Sequence, residues 1–337
     1  MGNQKEVPKI GRRNILLMLV GVTLTVPLLI TFDFRSAVER MKSMGLIPVI
    51  VAFASIHVGV LFYNLGWYFL LRRRVKFKDV FLIGWVSLFV NLLIPAASTT
   101  GEIARVYLLT KRSNVSAPEA LSSVVAHRII MVAPFIVSVT LGLSYLMTFR
   151  LDGNSAVVIL PVALLTVVFY LIYKLSMRED YLERIIKVLE RILRKDFEFL
   201  NSLAREYSES FRYLMSNRAM LSITVLCAFL NWLFDMLPIF IYFGALGHTL
   251  NPLLGVLIYS VSIILILIPV GIPGNMGVRE WVMTSLLVLV GLSSGEALAL
   301  TLASSTITVF LNELIFGLAA YLILMGSSGS LSKDESF

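Results

Sequence analysis

Cysteine is almost absent: Cys227 is the only one in 337 residues, and it lies in an apolar run. A lone thiol excludes an internal disulfide and a thiolate metal cage. Histidine is scarce too, and His57, His127 and His248 stand at no spacing that would gather them on a metal. Charge is thin: Asp, Glu, Lys and Arg make up 15% of the chain, well below what a soluble surface of this size needs. The H-E-x-x-H, P-loop and dinucleotide fingerprints are missing, as is a G-x-S-x-G nucleophile elbow. No metal, no cofactor and no catalytic residue are therefore assigned from motifs.

What fills the chain is hydrocarbon. Apolar residues reach 58% and the mean hydropathy is +0.86, which predicts an all-α polytopic membrane protein. Lys and Arg outnumber Asp and Glu by 29 to 21. In such a protein this excess reads as topology and as attraction to anionic inner-leaflet lipids, not as nucleic-acid binding. A spanning helix needs about 20 mostly apolar residues. Six runs qualify: Ile15–Phe32, Ile47–Leu71, Leu121–Met147, Val157–Tyr173, Leu221–Leu246 and Leu298–Leu324. Ile15–Phe32 follows a basic N-terminus without a clear cleavage site and reads as a retained start-transfer helix. Three shorter runs, Phe81–Pro95, Gly255–Pro269 and Gly277–Gly291, would each be about 22 Å long, short of a hydrocarbon core of about 30 Å.

Charge settles how the short runs sit. The Tyr173–Arg218 segment carries ten Lys or Arg and belongs on the cytoplasmic side. It stays there only if Phe81–Pro95 dips into the membrane and returns through Glu102–Lys111. The cytoplasmic side then holds 23 of the 29 basic residues. By the same logic Gly255–Gly291 is a hairpin entering from the other face. The expectation is six full spans plus two oppositely oriented re-entrant helical hairpins, in the plasma membrane, with both termini cytoplasmic. Residues 1–325 form one transmembrane domain, 174–218 a cytoplasmic amphipathic loop and 326–337 a disordered tail. Within the loop, Leu182, Ile185, Ile186, Leu189, Ile192 and Leu193 recur at helical spacing, with Arg184, Lys187, Arg191 and Arg194 between them. Two readings stay open for this helix: one lying on the membrane surface and one bathed in solvent.

Two stretches resemble each other. LLIPAASTTGEIARVYLLTKRSNVSAPEALSSVVAHR and ILIPVGIPGNMGVREWVMTSLLVLVGLSSGEALALTLASS both pass from an apolar helix through Leu-Ile-Pro and a small-residue loop to a Gly-containing turn with a Glu. Each then runs through an apolar helix to Ser-x-x-Glu-Ala-Leu and a long span. Ser116-x-x-Glu119 and Ser293-x-x-Glu296 fit capping boxes at the start of those spans. Residues 79–149 and 252–325 are accordingly expected to form an inverted repeat, an architecture that places broken helices around a transporter's central site.

Irregular backbone at membrane depth survives only inside protein or along a polar cavity. The expected breaks are Pro95 and Gly101 in the first hairpin, and Pro269, Pro273, Gly274 and Gly277 in the second. Helix-end N–H groups after each break favour an anion. Glu102 and Arg105 stand beside the first break, Arg279 and Glu280 beside the second, and Arg128 a few turns into the following span. These five are the candidate substrate-binding residues, with the arginines suited to clamp a phosphate. Competing readings have Arg105 extend to the interface, and Arg279 and Glu280 pair with each other to close the hairpin tip. Asn91, His127, Asp235 and Glu313 are secondary polar candidates; for Asp235 and Glu313 helix-to-helix hydrogen bonding is an equal reading, and Asn91 reads first as a link between helices.

The pair of motifs, Asn91, Pro95, Gly101-Glu102 and Arg105 followed by Pro269, Pro273, Gly274, Gly277 and Glu280, resembles the transmembrane region of lysylphosphatidylglycerol synthases, a flippase-like family, from about Ile15 to Leu324. The resemblance implies translocation of aminoacylated phosphatidylglycerol across the bilayer, with synthesis of that lipid left to a separate soluble domain. This chain reads as a stand-alone relative without that domain. It also departs from the family pattern: His127-Arg128-Ile-Ile-Met131 stands where Glu-Arg and a later Asp are frequent. Two acids fewer weaken the case for a cationic headgroup. The expectation is a lipid flippase-like transporter for an anionic phospholipid or a polyprenyl-phosphate-linked lipid. An intramembrane lipid-modifying enzyme using Glu102, Asp235 or Glu280 as base, and a non-transporting scaffold, remain alternatives. A homo-oligomer is left open.

Overall fold

The computed structural model describes residues 23, 26–94, 99–149, 156–193, 198–266 and 277–331. Among them there is no strand; the protein is an all-α polytopic membrane protein. Its helices are α1 (Phe34–Ser43), α2 (Leu46–Leu70), α3 (Phe77–Leu93), α4 (Thr99–Arg112), α5 (Ala117–Phe149), α6 (Ala156–Met177) and α7 (Glu179–Leu193). There follow α8 (Glu198–Ser216), α9 (Arg218–Ala245), α10 (Pro252–Ile266), α11 (Val278–Leu289), α12 (Ser294–Thr301), a π-helical segment (Leu302–Phe310) and α13 (Leu311–Leu331). The last three form one continuous rod.

Four described helices are long and apolar enough to cross a membrane: Leu46–Leu70, Ala117–Gly142, Arg218–Ala245 and Ser294–Gly326. The expected span Val157–Tyr173 falls on α6, and of Ile15–Phe32 only residues 23 and 26–32 are among those described. Of the expected disordered tail, residues 332–337 lie outside the described residues. The helix runs on through Gly326 to Leu331. Adding a residue to an existing helix gains a hydrogen bond without a new nucleus, so small polar residues prolong it.

The short runs form helices of 17 residues in α3, 14 in α4, 15 in α10 and 12 in α11. At about 1.5 Å per residue none exceeds about 26 Å. α3 and α4 are antiparallel: Arg112 Nε stands 3.9 Å from Asp79 Oδ1 at their open end, while Asn91 Oδ1 accepts from the Gly101 N–H at 2.6 Å near the turn. α10 and α11 also pack on each other. Pro95, Pro269, Pro273 and Gly274 lie outside the described residues; Gly101 and Gly277 open α4 and α11.

The packing follows a rule of exchange. α2 and α9 lie against each other as the central pair. α3 packs on α13, and α10 packs on α5, so each hairpin is backed by the long helix of the other half. α1 packs on α12 as α8 packs on α5. Swapping α1–α5 with α8–α13 leaves these partnerships unchanged. Glycines repeat the pattern. A Cβ at Gly317 of α13 would run into Phe89 of α3, and one at Gly142 of α5 into Leu257 of α10. Gly84 of α3 meets Asn64 of α2, and Gly255 of α10 meets Phe240 of α9. Small residues let these backbones approach where lipid supplies no hydrophobic drive.

The ends of the helices sort by charge. Arg74, just past α2, donates to Glu119 at the start of α5 (3.1 Å), and Arg72 lies 3.7 Å over the Tyr213 ring near the end of α8. Arg112, Lys174 and Arg178 close α4 and α6. At the opposite end, Glu296 of α12 meets Arg40 (3.6 Å) and His248 (3.2 Å). The Ser293–Glu296 capping box forms with both reciprocal bonds. At Ser116 only half of it forms: the Glu119 N–H reaches Ser116 Oγ (3.3 Å), while the Glu119 carboxylate goes to Arg74.

Candidate functional site

The first hairpin places Glu102 and Arg105 on one face of α4, because residues three apart on a helix are neighbours. Arg105 is 1% exposed; it does not extend to the interface. Four groups fix it. Its Nη1 donates to Tyr63 Oη (2.9 Å) and to Glu102 Oε2 (3.1 Å). Its Nη2 faces His127 Nδ1 at 3.2 Å. A guanidinium only donates, so that nitrogen accepts and the imidazole proton lies on Nε2. The indole of Trp67 stacks under the guanidinium, with Cζ 3.9 Å from the ring centroid. Tyr63 and Trp67 are one turn apart on α2, and Trp67 is itself anchored by its Nε1–H to Ser123 of α5 (3.1 Å).

Arg128 is held more lightly. Its Nη1 donates to Glu102 Oε1 at 3.0 Å, and its side chain is 29% exposed. One carboxylate thus bridges two arginines, and with a neutral His127 the cluster carries one net positive charge. The Arg105 Nε and His127 Nε2 are buried without a partner among the described residues. Arg105 and Tyr63 each lie seven residues from the ends of their helices, about 10 Å in from the basic face. One helix-start N–H of this hairpin, that of Gly101, is not free for an anion, since Asn91 Oδ1 accepts from it. Asn91 therefore joins the two helices.

The second hairpin is arranged differently. Glu280 is 9% exposed, and both its oxygens are engaged. Oε2 accepts from the Gly277 N–H (2.7 Å) and Oε1 from Ser305 Oγ (2.8 Å). The ion pair between Arg279 and Glu280 is not formed. Arg279 has Asp235, Glu313 and Tyr259 as its electrostatic neighbours instead. Asp235 accepts from Asn231 Nδ2 (2.8 Å) and stands against Gly59 of α2, where a Cβ would collide with its carboxylate. Two acids here face one arginine, whereas in the first cluster one acid faces two arginines.

Both halves share one device. The helix-start Glu of each return helix is held by a side chain 25 or 26 residues downstream: Glu280 by Ser305, Glu102 by Arg128. Ser305 lies in the π-helical segment, and such segments recur at functional sites. The sequence reading missed Tyr63 and Trp67, because aromatic residues inside an apolar span carry no signal of their own. It also missed Ser305.

A family model for the lysylphosphatidylglycerol synthase transmembrane region matches residues 15–317. A UPF0104 membrane protein of Pyrococcus horikoshii is 29% identical over 325 residues, covering 90% of this chain and 95% of the relative. A UPF0104 membrane protein of Methanothermobacter thermautotrophicus is 24% identical, covering 88% of this chain and 91% of its own. One from Methanocaldococcus jannaschii is 21% identical, with 82% and 84% covered. No solved structure matches. The family match runs through both hairpins, both charged clusters and the long helices that back them: the chain belongs to the lysylphosphatidylglycerol synthase transmembrane-region family.

Proposed function

We propose that the protein is a lipid flippase-like transporter whose substrate headgroup carries a phosphate, as in an anionic phospholipid or a polyprenyl-phosphate-linked lipid. The observation that carries this reading is the Glu102–Arg105–Arg128 cluster. A buried, fixed guanidinium and a lightly held, partly exposed one share a single carboxylate. An arriving phosphate offers Arg128 a bidentate acceptor in place of the single bond that Glu102 Oε1 accepts from it now. Arg105 keeps Glu102 in place throughout. Family membership supports a lipid-related role.

In this reading the two hairpins are re-entrant, dipping from opposite faces of the plasma membrane. The exchange-invariant packing supports an inverted repeat, here extended upstream to α1 and α8 from the 79–149 and 252–325 stretches. The basic helix ends face the cytoplasm, with both termini on that side. Arg279 with Asp235 and Glu313 lines the route on the second half, while Glu280 serves it as a cap. Lipid enters between the helices headgroup first, and its chains stay in the bilayer.

The test is leaflet exchange in proteoliposomes containing a panel of labelled lipids, followed by dithionite bleaching. Phosphate-bearing anionic lipids are expected to exchange faster than in empty vesicles. Arg128→Ala should slow that exchange at least about tenfold, the loss of one charge-assisted bond of about 1.5–3 kcal/mol. Exchange of a cationic lipid in preference to phosphate-bearing ones, or wild-type exchange by Arg128→Ala, overturns the reading.

A further inference from the structure

Outside the charged clusters, α7 carries the most strongly segregated surface among the described helices, and its four sides can be read one at a time. Leu182 and Ile186 form the row that packs on the protein, with Ile186 buried. Glu179, Glu183 and Glu190 follow one another at helical spacing and are all partly covered. On the neighbouring α8, Arg205 Nε donates to Glu179 (2.8 Å) and has Glu183 and Glu209 as further electrostatic neighbours. Glu179 and Glu183 are thereby turned toward α8. The third row is apolar and uncovered: Ile185 is 44% and Val188 52% exposed, in line with Tyr181. Beside it runs the fourth row, Arg184, Lys187 and Arg191, all exposed, with Asp180 the one acid on that side. Arg178 and Arg184 stand 5.4 and 5.8 Å from the Tyr181 ring centroid, one on each side of its position in the chain.

We infer that α7 is a membrane-surface helix, and that the ligand of its outer face is an anionic bilayer. A helix that only met water would not leave a row of Ile and Val uncovered beside its basic row, nor turn Glu179 and Glu183 away from that row. The position agrees. α7 starts one residue after α6, an apolar helix with Lys174 in its last turn. The Ser176–Tyr207 hydrogen bond (2.7 Å) clamps that end of α6 to α8. Phe199 at the start of α8 is 72% exposed as well. The basic ends of α2, α4 and α6 gather on this side of the bundle. The apolar row thus has the acyl-chain boundary within reach, and the basic row the lipid phosphates. This surface is separate from the Glu102–Arg105–Arg128 cluster and does not depend on its function.

The test uses the full-length protein in vesicles. Cys227 is buried and is replaced by Ser, and single cysteines at Ile185, Val188, Asp180 and Lys187 carry a nitroxide in turn. Collision with oxygen, which concentrates in lipid, is compared with collision by a water-soluble nickel chelate, in phosphatidylcholine vesicles with and without phosphatidylglycerol. Labels at 185 and 188 are expected to favour oxygen, those at 180 and 187 nickel. Phosphatidylglycerol should deepen the first pair, and added salt should reverse that shift. A basic side chain near an anionic surface is worth about 1 kcal/mol, so Arg184→Gln or Arg191→Gln should lower the membrane-seated population about fivefold in phosphatidylglycerol vesicles and hardly at all without it. Labels at 185 and 188 as open to nickel as those at 180 and 187, in both vesicles, would mean a solvated helix and overturn the inference. So would protection of 185 and 188 that rises with protein density and ignores lipid charge, the mark of a second copy covering this face.

Discussion

Arg105→Ala is expected to reduce lipid exchange at least about thirtyfold, with the protein still inserted in the membrane. Truncating one partner of a buried, hydrogen-bonded charge pair costs about 2–5 kcal/mol, and the lower figure already corresponds to about thirtyfold. The loss is not confined to one bond. Tyr63 Oη, Glu102 Oε2 and His127 Nδ1 all lose their guanidinium partner, and Trp67 loses the cation stacked on its face. Glu102 is then held by Arg128 alone. Arg105→Lys should rescue little, because an ammonium cannot reproduce the planar fork that reaches Tyr63, Glu102 and His127 together. Size-exclusion behaviour and thermal stability in detergent separate a collapsed protein from an inactive one. Exchange at the wild-type rate by a well-folded Arg105→Ala would remove the cluster from the transport route.

Gly101→Val is expected to be the most damaging single change to the first hairpin. A Cβ at this position would run into the Ser87 carbonyl oxygen and the Asn91 amide, both on α3. A backbone carbonyl cannot swing aside as a long side chain can, so the hairpin must open. Overpacking of this kind costs about 1–3 kcal/mol, and often more where backbone is the obstacle. The Asn91–Gly101 bond of 2.6 Å is lost with it, and Glu102, the next residue, moves off both arginines. A lower unfolding temperature together with lost exchange is the expected outcome. Gly244→Ala is the control: it lies in a helix with nothing within 4 Å of an added Cβ, and should be neutral or stabilising by up to about 1 kcal/mol. Equal tolerance of both substitutions would mean that the close approach of α3 and α4 is not needed.

Hydropathy and charge alone indicate a polytopic α-helical chain, because the bilayer requires spanning segments to be apolar and their backbones self-satisfied. The gathering of Glu102, Arg105 and Arg128 was legible in part. Helical spacing joins the first two, and the Ser116 signal marks the start of α5, which carries the third. Two neighbours of Arg105 were not legible, since Tyr63 and Trp67 sit among the other aromatic residues of α2, Phe53, Phe62, Tyr68 and Phe69. Arg279 and Glu280 misled by adjacency. Consecutive helical residues point about 100° apart, so Glu280 turns back to Gly277 and Ser305 while Arg279 faces Asp235 and Glu313.

Backing each hairpin with the long helix of the opposite half has a consequence for what counts as a unit. Neither α1–α5 nor α8–α13 is complete by itself: α3 and α10 would each present to lipid the surface that Gly317 and Gly142 are shaped to meet. Two similar halves in sequence are therefore one cooperative body in space, clasped like two hands with the fingers of each closed over the back of the other.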